Sequence, residues 1–512
     1  MGRDVSRYVC LVAAVLALSG CDSRKPASVS LVPTETFQTM DAWEANAKMW
    51  EFNRRSNRFD DSWMPARDRI LAAMIAEGGI NRLRLELRSG AENPVDYWSR
   101  FRSGALSFSD FKKHAYEKIN DNADPKVLNP KGFQFSELDF RVENFILPSM
   151  RIAKSLGRPM RFTLSYVDSK WSDRQGKLSH ATNPEEYAEL IAAAYAHLKQ
   201  KYGLTPDALE IVLEPDNTEE WVGRRIGSAI VSVTRRLEAQ GVTPRIIAPS
   251  TTVARRAPRY MQEIMSIPGA AEKVSVLSYH RYGIQPTEQA FSRIRESAAS
   301  IKAQTAMLEF GRADANILFE DLAQANVSSF QKHDIATPDL GRVATAPGNM
   351  LRVTEPGKAD AEVELLPEAT ALASIFRAVD PGAVRIGARS DQSWLNTVAF
   401  RNPDGRLVLA VKADQGPVMK LLDKVHRRLN TPMPQPQGGE WVRMRMGRAG
   451  TFVAQRSNAL AGRIRRCTMT IASSSGYARV MVRGGDVVTI AEQPKGTPAR
   501  YPACSADAED WK

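Results

Sequence analysis

The sequence predicts an α/β chain built as a (β/α)8 TIM barrel followed by an antiparallel β-sandwich. Three observations predict it. Between Gln38 and Phe330 short strand-like runs take turns with runs of helical apolar spacing, an alternation that builds a parallel sheet and, repeated eightfold, a closed barrel. Two of those runs, Ala208–Trp221 (ALEIVLEPDNTEEW) and Ala303–Gly311 (AQTAMLEFG), each lead from an apolar strand to one carboxylate, Glu214 and Glu309. The acids stand 95 positions apart, three β/α units of about 32 residues, which suits strands four and seven, and the carboxyl ends of barrel strands are where active sites sit. From Ala383 onward the texture changes to short alternating strands punctuated by Asn402-Pro403-Asp404-Gly405 and by Gly-Gly pairs at 438–439 and 484–485, the pattern of an antiparallel domain.

At the amino end, Arg3 and Arg7 precede an apolar run, Val9–Leu18, too short to span a bilayer. The run ends Leu18-Ser19-Gly20-Cys21, which resembles a bacterial lipoprotein signal over residues 1–20, with Cys21 as the lipid attachment site. Asp22 resembles an inner-membrane retention signal, so the expected location is the periplasmic face of the inner membrane, with the outer membrane as the alternative. Multiple acyl chains anchor firmly where one does not. Residues 21–30 read as a polar tether. Leu31–Phe37 reads as a strand, in the barrel or joined to the later β domain, and Gln38–Trp43 as the first barrel strand and its exit loop.

Arg67–Glu77 has helical spacing and stops at Gly78-Gly79. Ile80–Leu87 alternates as strand two, and an inward Arg84 there needs an acid partner. Ser89–Phe145 is long and rich in aromatics, a rim with its own helices in which most rings are packing. Helix 145–156, strand three at Pro159–Tyr166, and a polar loop with Asp168 and Trp171 follow. Pro184–Lys201 is helical to Gly203; Ala208–Glu214 is strand four; Val222–Gln240 is helical. Strand five, Arg245–Ala248, breaks at Pro249. Helix 260–267, strand six at Val274–Tyr279 with His280 and Tyr282 beyond it, and helix 291–300 lead to strand seven at Ala303–Glu309. Helix 317–325, strand eight at Val327–Phe330, a Pro/Gly-rich loop or hairpin over 336–364 and helix 368–379 complete a barrel of residues 31–379. Residues 380–512 form the sandwich.

The composition excludes some functions. Of 512 residues, 43% are hydrophobic, enough for sizeable cores. The net charge of +12 is spread among 58 acidic residues, and the basic clusters at 426–428 and 463–466 are short, so no nucleic-acid partner is expected. An anionic polysaccharide, a membrane surface or plain solvation suits the charge. With Cys10 in the signal and Cys21 lipidated, Cys467 and Cys504 remain as a pair in an oxidising compartment, where a disulfide is expected. The six histidines are dispersed, so no metal and no cofactor is expected.

The chain resembles the clan A glycoside hydrolases, family 30 first and family 39 second. The resemblance rests on Gln38-Thr39-Met40-Asp41, Leu83-Arg84-Leu85, Asn183–Tyr187, Glu214-Pro215-Asp216-Asn217, Ala248-Pro249-Ser250-Thr251, Ser278–Tyr282, Glu309-Phe310-Gly311, Pro381-Gly382-Ala383 and Phe400–Gly405, in that order. It implies a retaining β-glycosidase with a carbohydrate substrate, Glu214 as acid/base and Glu309 as nucleophile. Arg84 and Tyr282 would hold Glu309 ionised, and His280 would line the sugar subsite or, equally, be a core histidine bonded to backbone. Trp43 and Trp171 complete the expected substrate-binding set. One departure is Leu213, where the clan carries an Asn that bonds the sugar 2-hydroxyl. Losing such a donor removes roughly a few kcal/mol of transition-state stabilisation. Either the sugar lacks that contact, or another residue supplies it, or activity is weak, and a non-catalytic glycan-binding barrel or a barrel-shaped interaction protein remain the alternatives.

Overall fold

The structure, a computed structural model, describes residues 27–170, 172, 175–338, 349–414, 439–458, 463–471, 476–494, 496 and 501–504. Its first strand, β1 (Ser28–Thr39), precedes the barrel. Eight parallel strands then close on themselves: β2 (Ala42–Asn46), β3 (Arg82–Arg88), β4 (Arg161–Val167), β5 (Ala208–Glu210), β6 (Arg245–Thr251), β7 (Val274–His280), β8 (Gln304–Glu309) and β9 (Val327–Asp334), with β9 pairing back onto β2. The intervening helices include α1 (Arg67–Ala76), α2 (Leu147–Ser155), α3 (Pro184–Tyr202), α4 (Gly223–Ala239), α5 (Ala257–Met265), α6 (Glu288–Ser300), α7 (Ala315–Glu320) and α8 (Pro367–Ala378).

Strand alternation assigns the faces. Leu209, Ala248, Leu277 and Met307 join the core between strands and helices, while Ala208, Ile247, Val276, Ala306 and Leu308 form a separate apolar layer inside the barrel. On β3 the outward set is Leu83, Leu85 and Leu87, and the inward set carries charge: Arg82, Arg84 and Glu86. Arg82 meets Asp41 and Glu44 at 2.5 Å each, and Arg161 and Arg245 converge on Asp41 and Asp207. This network lies at the amino-terminal ends of the strands, the end associated with stability rather than chemistry.

Helix α3 shows how local sequence sets an element. Pro184 stands at its first position, where no N–H is needed, and Glu185 and Glu186 favour the positive dipole end. Gly203 takes φ +68° to stop it, its N–H bonding back to Lys199 O. Tyr187, Leu190, Ile191, Ala194 and Leu198 are buried on its inner face, each large apolar side chain contributing roughly 1.5–3 kcal/mol.

The second domain is a nine-stranded sheet folded about one core. Its strands are β1, β10 (Val384–Ser390), β11 (Leu395–Arg401), β12 (Leu407–Ala413), β13 (Glu440–Arg445), β14 (Gly450–Asn458), β15 (Arg463–Ile471), β16 (Ala478–Val482) and β17 (Asp486–Glu492). They run in the order β15-β14-β17-β12-β11-β10-β1-β13-β16, antiparallel except for β1 beside β13. Residues from both ends of that order, Cys467 and Val480, share a core with Val29, Leu409 and Ile490, which makes the sheet a two-layered sandwich. The Cys467–Cys504 disulfide ties the tail to β15, helped by Cys504 N–H donating to Thr468 O. The outer face, with Phe400, Val408 and Val487, packs into the barrel's own core, and Ser374 of α8 meets Thr489 at 2.7 Å.

Several boundaries differ from expectation, and three of them concern how the barrel and sandwich begin and how a strand crosses a proline. The first barrel strand is Ala42–Asn46, not the stretch from Gln38, because Gln38 and Thr39 finish β1 and Asp41 is taken by the arginines below the barrel. β1 begins at Ser28, inside the expected tether, since Val29 is needed in the sandwich core. Strand five runs through Pro249 to Thr251. Among the described residues, no helix is long and apolar enough to cross a membrane.

Candidate active site

Glu309 ends β8, and its direction is set by a bulge. Met307 pairs with Tyr279 of β7, yet Glu309 pairs with the next residue, His280, so one extra residue on β8 turns the carboxylate inward instead of toward the helices. There its Oε2 accepts from Arg84 Nη2 at 2.5 Å and its Oε1 from the Tyr282 hydroxyl at 3.0 Å. His333 Nδ1 lies 3.5 Å from Oε1. Arg84 is fully buried, also donating to Leu308 O at 3.3 Å and standing 3.7 Å from Glu86. Tyr282 is fixed in turn by the N–H of Gly311, which donates to its oxygen at 3.2 Å. Burial alone would raise the Glu309 carboxyl, but the charges of His333, Arg84 and His280 and the Arg84 hydrogen bond outweigh it and bring it down to about 2.

Glu214 reaches the same opening by another route. β5 stops after Glu210, and the chain continues with single bonds to its neighbours: Ile211 N–H to Ile247 O, Leu213 N–H to Tyr166 O and Glu214 N–H to Ser250 O. The strand expected to run to Glu214 ends four residues early because Glu214 adopts a left-handed conformation, φ 51° and ψ 55°, ahead of a single helical turn at Pro215–Asn217. Its Oε2 accepts from Asn217 Nδ2 at 2.8 Å, and its Oε1 lies 3.0 Å from His280 Nδ1. The Glu214 side chain is 22% exposed, the Glu309 side chain 10%.

His280, the last residue of β7, lies fully buried between the two acids. Burial opposes its charge, but the bond to Glu214 and the charges of Glu309, Glu214 and Glu210 raise its pKa. One oxygen of Glu214, one oxygen of Glu309 and a ring nitrogen of His280 all lie within 4.8 Å of one another. The structure therefore brings together Glu214, Glu309, Arg84, His280 and Tyr282. Glu86, held ionised by Lys48, Arg141 and Arg84 against its burial and bonded to Asn46 Nδ2 at 2.7 Å, extends the polar wall below Arg84.

Trp43 is not part of this site. Glu44 and Asn46 are the inward residues of β2, so Trp43 points to the helices, where its Nε1 donates to Val379 O at 2.8 Å and its ring stacks on Phe376 at 4.4 Å. Trp171 and Cys21 lie outside the described residues. The rim aromatics pack on one another: Phe59 meets Trp98, Phe101 and Phe140 edge to face, Trp98 meets Phe111 likewise, and Phe101 stacks on Phe111. Sequence reasoning missed His333 and Asn217 as partners of the acids. The signal for His333 was its place just past an apolar strand; for Asn217 it was the three-residue spacing from Glu214 across Pro215.

The glycosyl hydrolase family 30 beta sandwich domain model matches residues 382–412. No curated protein sequence matches the chain. Among solved structures, the chain is similar to the catalytic domain of the GH30 xylanase C from Talaromyces cellulolyticus, with 14% identity, TM-score 0.62, and 91% of this chain and 100% of that one covered. It is similar to an endo-beta1,6-glucanase, with 12% identity, TM-score 0.57, and 92% and 96% covered. The GH39 enzyme from Xanthomonas axonopodis pv. citri matches with 13% identity, TM-score 0.54, and 94% and 100% covered. At these identities the likeness establishes the architecture, a TIM barrel joined to a β-sandwich.

Proposed function

We propose that this chain is a retaining β-glycosidase that hydrolyses a polysaccharide or glycoconjugate by double displacement. The observation that carries the proposal is the pair of carboxylate oxygens within 4.8 Å at the carboxyl end of the barrel. Retaining pairs stand about 5–5.5 Å apart, whereas inverting pairs need roughly 6.5–9.5 Å to seat a water. The environments differ as the two roles require. Glu309 is buried, ionised and bonded by Arg84 and Tyr282. Glu214 is more open and faces an imidazole.

In the first step Glu309 attacks the anomeric carbon while Glu214 gives its proton to the leaving glycosidic oxygen, and a covalent glycosyl ester forms. In the second, Glu214 takes a proton from water, whose oxygen attacks the same carbon and frees Glu309. Arg84 and Tyr282 position the nucleophile. Asn217 and His280 position the acid/base, one on each oxygen.

A 2-fluoro-sugar carrying a good leaving group should label Glu309, found by peptide mass mapping, and Glu309→Gln should lower turnover roughly 10⁴-fold or more while binding persists. Unchanged turnover in that variant would remove Glu309 from the role. The glycosidase neighbours support a carbohydrate partner, and the positive charge favours screening anionic polymers first. A second reading, a glycan-binding barrel without turnover, is favoured by Leu213, which contributes an alkyl group where the clan resemblance expects a donor. Binding without fluoro-sugar labelling would select it.

The amino-terminal pattern adds a lipid anchor at Cys21, placing the enzyme at the periplasmic face of the inner membrane. Radiolabelled palmitate should enter the wild-type chain and not Cys21→Ser; equal labelling of both would remove the anchor.

A further inference from the structure

Away from Glu214 and Glu309, four carboxylates crowd together at the edge of the barrel. Glu92 lies just after β3, Asp121 lies in the long segment between β3 and α2, and Glu186 and Glu189 stand one turn apart at the start of α3. One oxygen each of Glu92, Asp121 and Glu186 lies within 4.8 Å of the others. Like charges at that separation repel unless a cation or a proton stands among them.

The neighbouring cations do not reach this cluster's centre. Arg236 meets Glu189 at 3.3 Å and also donates to Pro125 O. His180 takes one oxygen of Glu92, at 2.7 Å. From donors outside the cluster, each of the three carboxylates accepts through one oxygen only. Glu92 Oε2 has His180, Asp121 Oδ2 accepts from Asn129 N–H at 2.6 Å and Asn122 Nδ2 at 2.9 Å, and Glu186 Oε1 accepts from Asn120 Nδ2 at 3.1 Å. The other oxygens, Glu92 Oε1, Asp121 Oδ1 and Glu186 Oε2, are out of solvent and have no hydrogen-bond partner. Glu92 is 0% exposed and Glu186 8%. A buried, unengaged carboxylate oxygen is costly, and three neighbouring acids that each carry one call for a shared partner.

The loop is shaped to hold Asp121 there. A Cβ on Gly132 would lie 2.2 Å from the Cβ of Asp121, so the chain can close over this aspartate only with glycine. Ile119 N–H donates to Glu92 O at 2.8 Å, which brings the same loop alongside Glu92.

We infer that Glu92, Asp121 and Glu186 bind a hard divalent cation of the calcium class, which pins the segment between β3 and α2 to the start of α3. The donors are all oxygens, as Ca²⁺ and Mg²⁺ prefer, and they come from three separate stretches of chain, a looser arrangement that suits the variable geometry of Ca²⁺ better than the strict octahedron of Mg²⁺.

The test uses the full chain, stripped with chelator and dialysed into chelator-free buffer. Calorimetric titration with CaCl2 should give one site per chain with a Kd of roughly 10⁻⁶–10⁻³ M, and the melting temperature should rise by roughly 3–6 °C, saturably. MgCl2 should bind more weakly. Asp121→Asn should weaken Ca²⁺ binding about tenfold or more while the stripped variant melts no lower than the stripped wild type, because a repelling charge has gone. No heat and no rise in melting temperature with CaCl2 up to about 10 mM, a range that spans even weak modules, would overturn the inference and leave protons as the partners of these acids. Unchanged Ca²⁺ affinity in Asp121→Asn would overturn it as well.

Discussion

Arg84 and Glu309 form a buried pair whose sign decides how the site responds to pH. The Glu309 carboxyl is lowered from 4.5 to about 2 by His333, Arg84 and His280 acting against burial. A depressed carboxylate contributes stability that is complete above its unfolded value near 4.5 and is lost as pH falls through the folded value near 2. The two imidazoles carry charge only when protonated, whereas a guanidinium is charged throughout. Arg84→Met should therefore move the acid limb of kcat/KM upward by roughly 1–3 pH units. The pH–rate profile checks this, with circular dichroism as the control for folding, since breaking a buried pair costs about 3–5 kcal/mol. A limb that stays in place would mean that other groups keep Glu309 ionised. At this scale Trp43 carries the opposite lesson. A tryptophan near a barrel strand reads as a sugar platform, yet a single step of alternation turned it to the helices, where Phe376 and the Val379 carbonyl already satisfy it.

Among the elements, β5 is one that sequence periodicity misjudged in a way that bears on the site. Its apolar run continues to Leu213, but regular pairing ends at Glu210, and the carbonyl of Ile211 is taken by the Tyr187 hydroxyl of α3 at 2.7 Å. The helix thus secures the segment that carries Glu214. Tyr187→Phe should leave that buried carbonyl unpaired and destabilise the chain by roughly 1–3 kcal/mol, with kcat falling more than KM rises, because the loss falls on the placement of Glu214. Chemical denaturation beside steady-state kinetics tests it; equal stability would show that the bond is replaced. The helices were more legible than the strands. α3 announces itself by Pro184, paired glutamates and Gly203, all local signals, whereas the bulge that turns Glu309 inward depends on how β8 meets β7 and leaves no mark in the run TAMLE itself.

The whole molecule is stitched by a strand that precedes its own domain by the length of the barrel. β1 sits between β10 and β13 in the middle of the sandwich, and Gln38 at its end bonds Arg385 of β10 and the carbonyls of Leu322 and Val327 of the barrel. Deleting residues 27–39 should therefore open the sandwich and expose the barrel face that holds Phe400 and Val408. Limited proteolysis should then cut both domains, and an intact, protease-resistant barrel after the deletion would show that the two fold separately. By itself the sequence determined the barrel, the sandwich, the limits of helices with clear caps such as α3, and the two acids at the ends of apolar runs. Those follow from periodicity and turn chemistry, which act between residues near in the chain. Only the tertiary structure decided that Trp43 belongs to the core, that His333 and Asn217 attend the acids, and that Glu92, Asp121 and Glu186 meet. Each of these depends on register and on contacts between distant segments, where an offset of one residue sends a side chain to the opposite face.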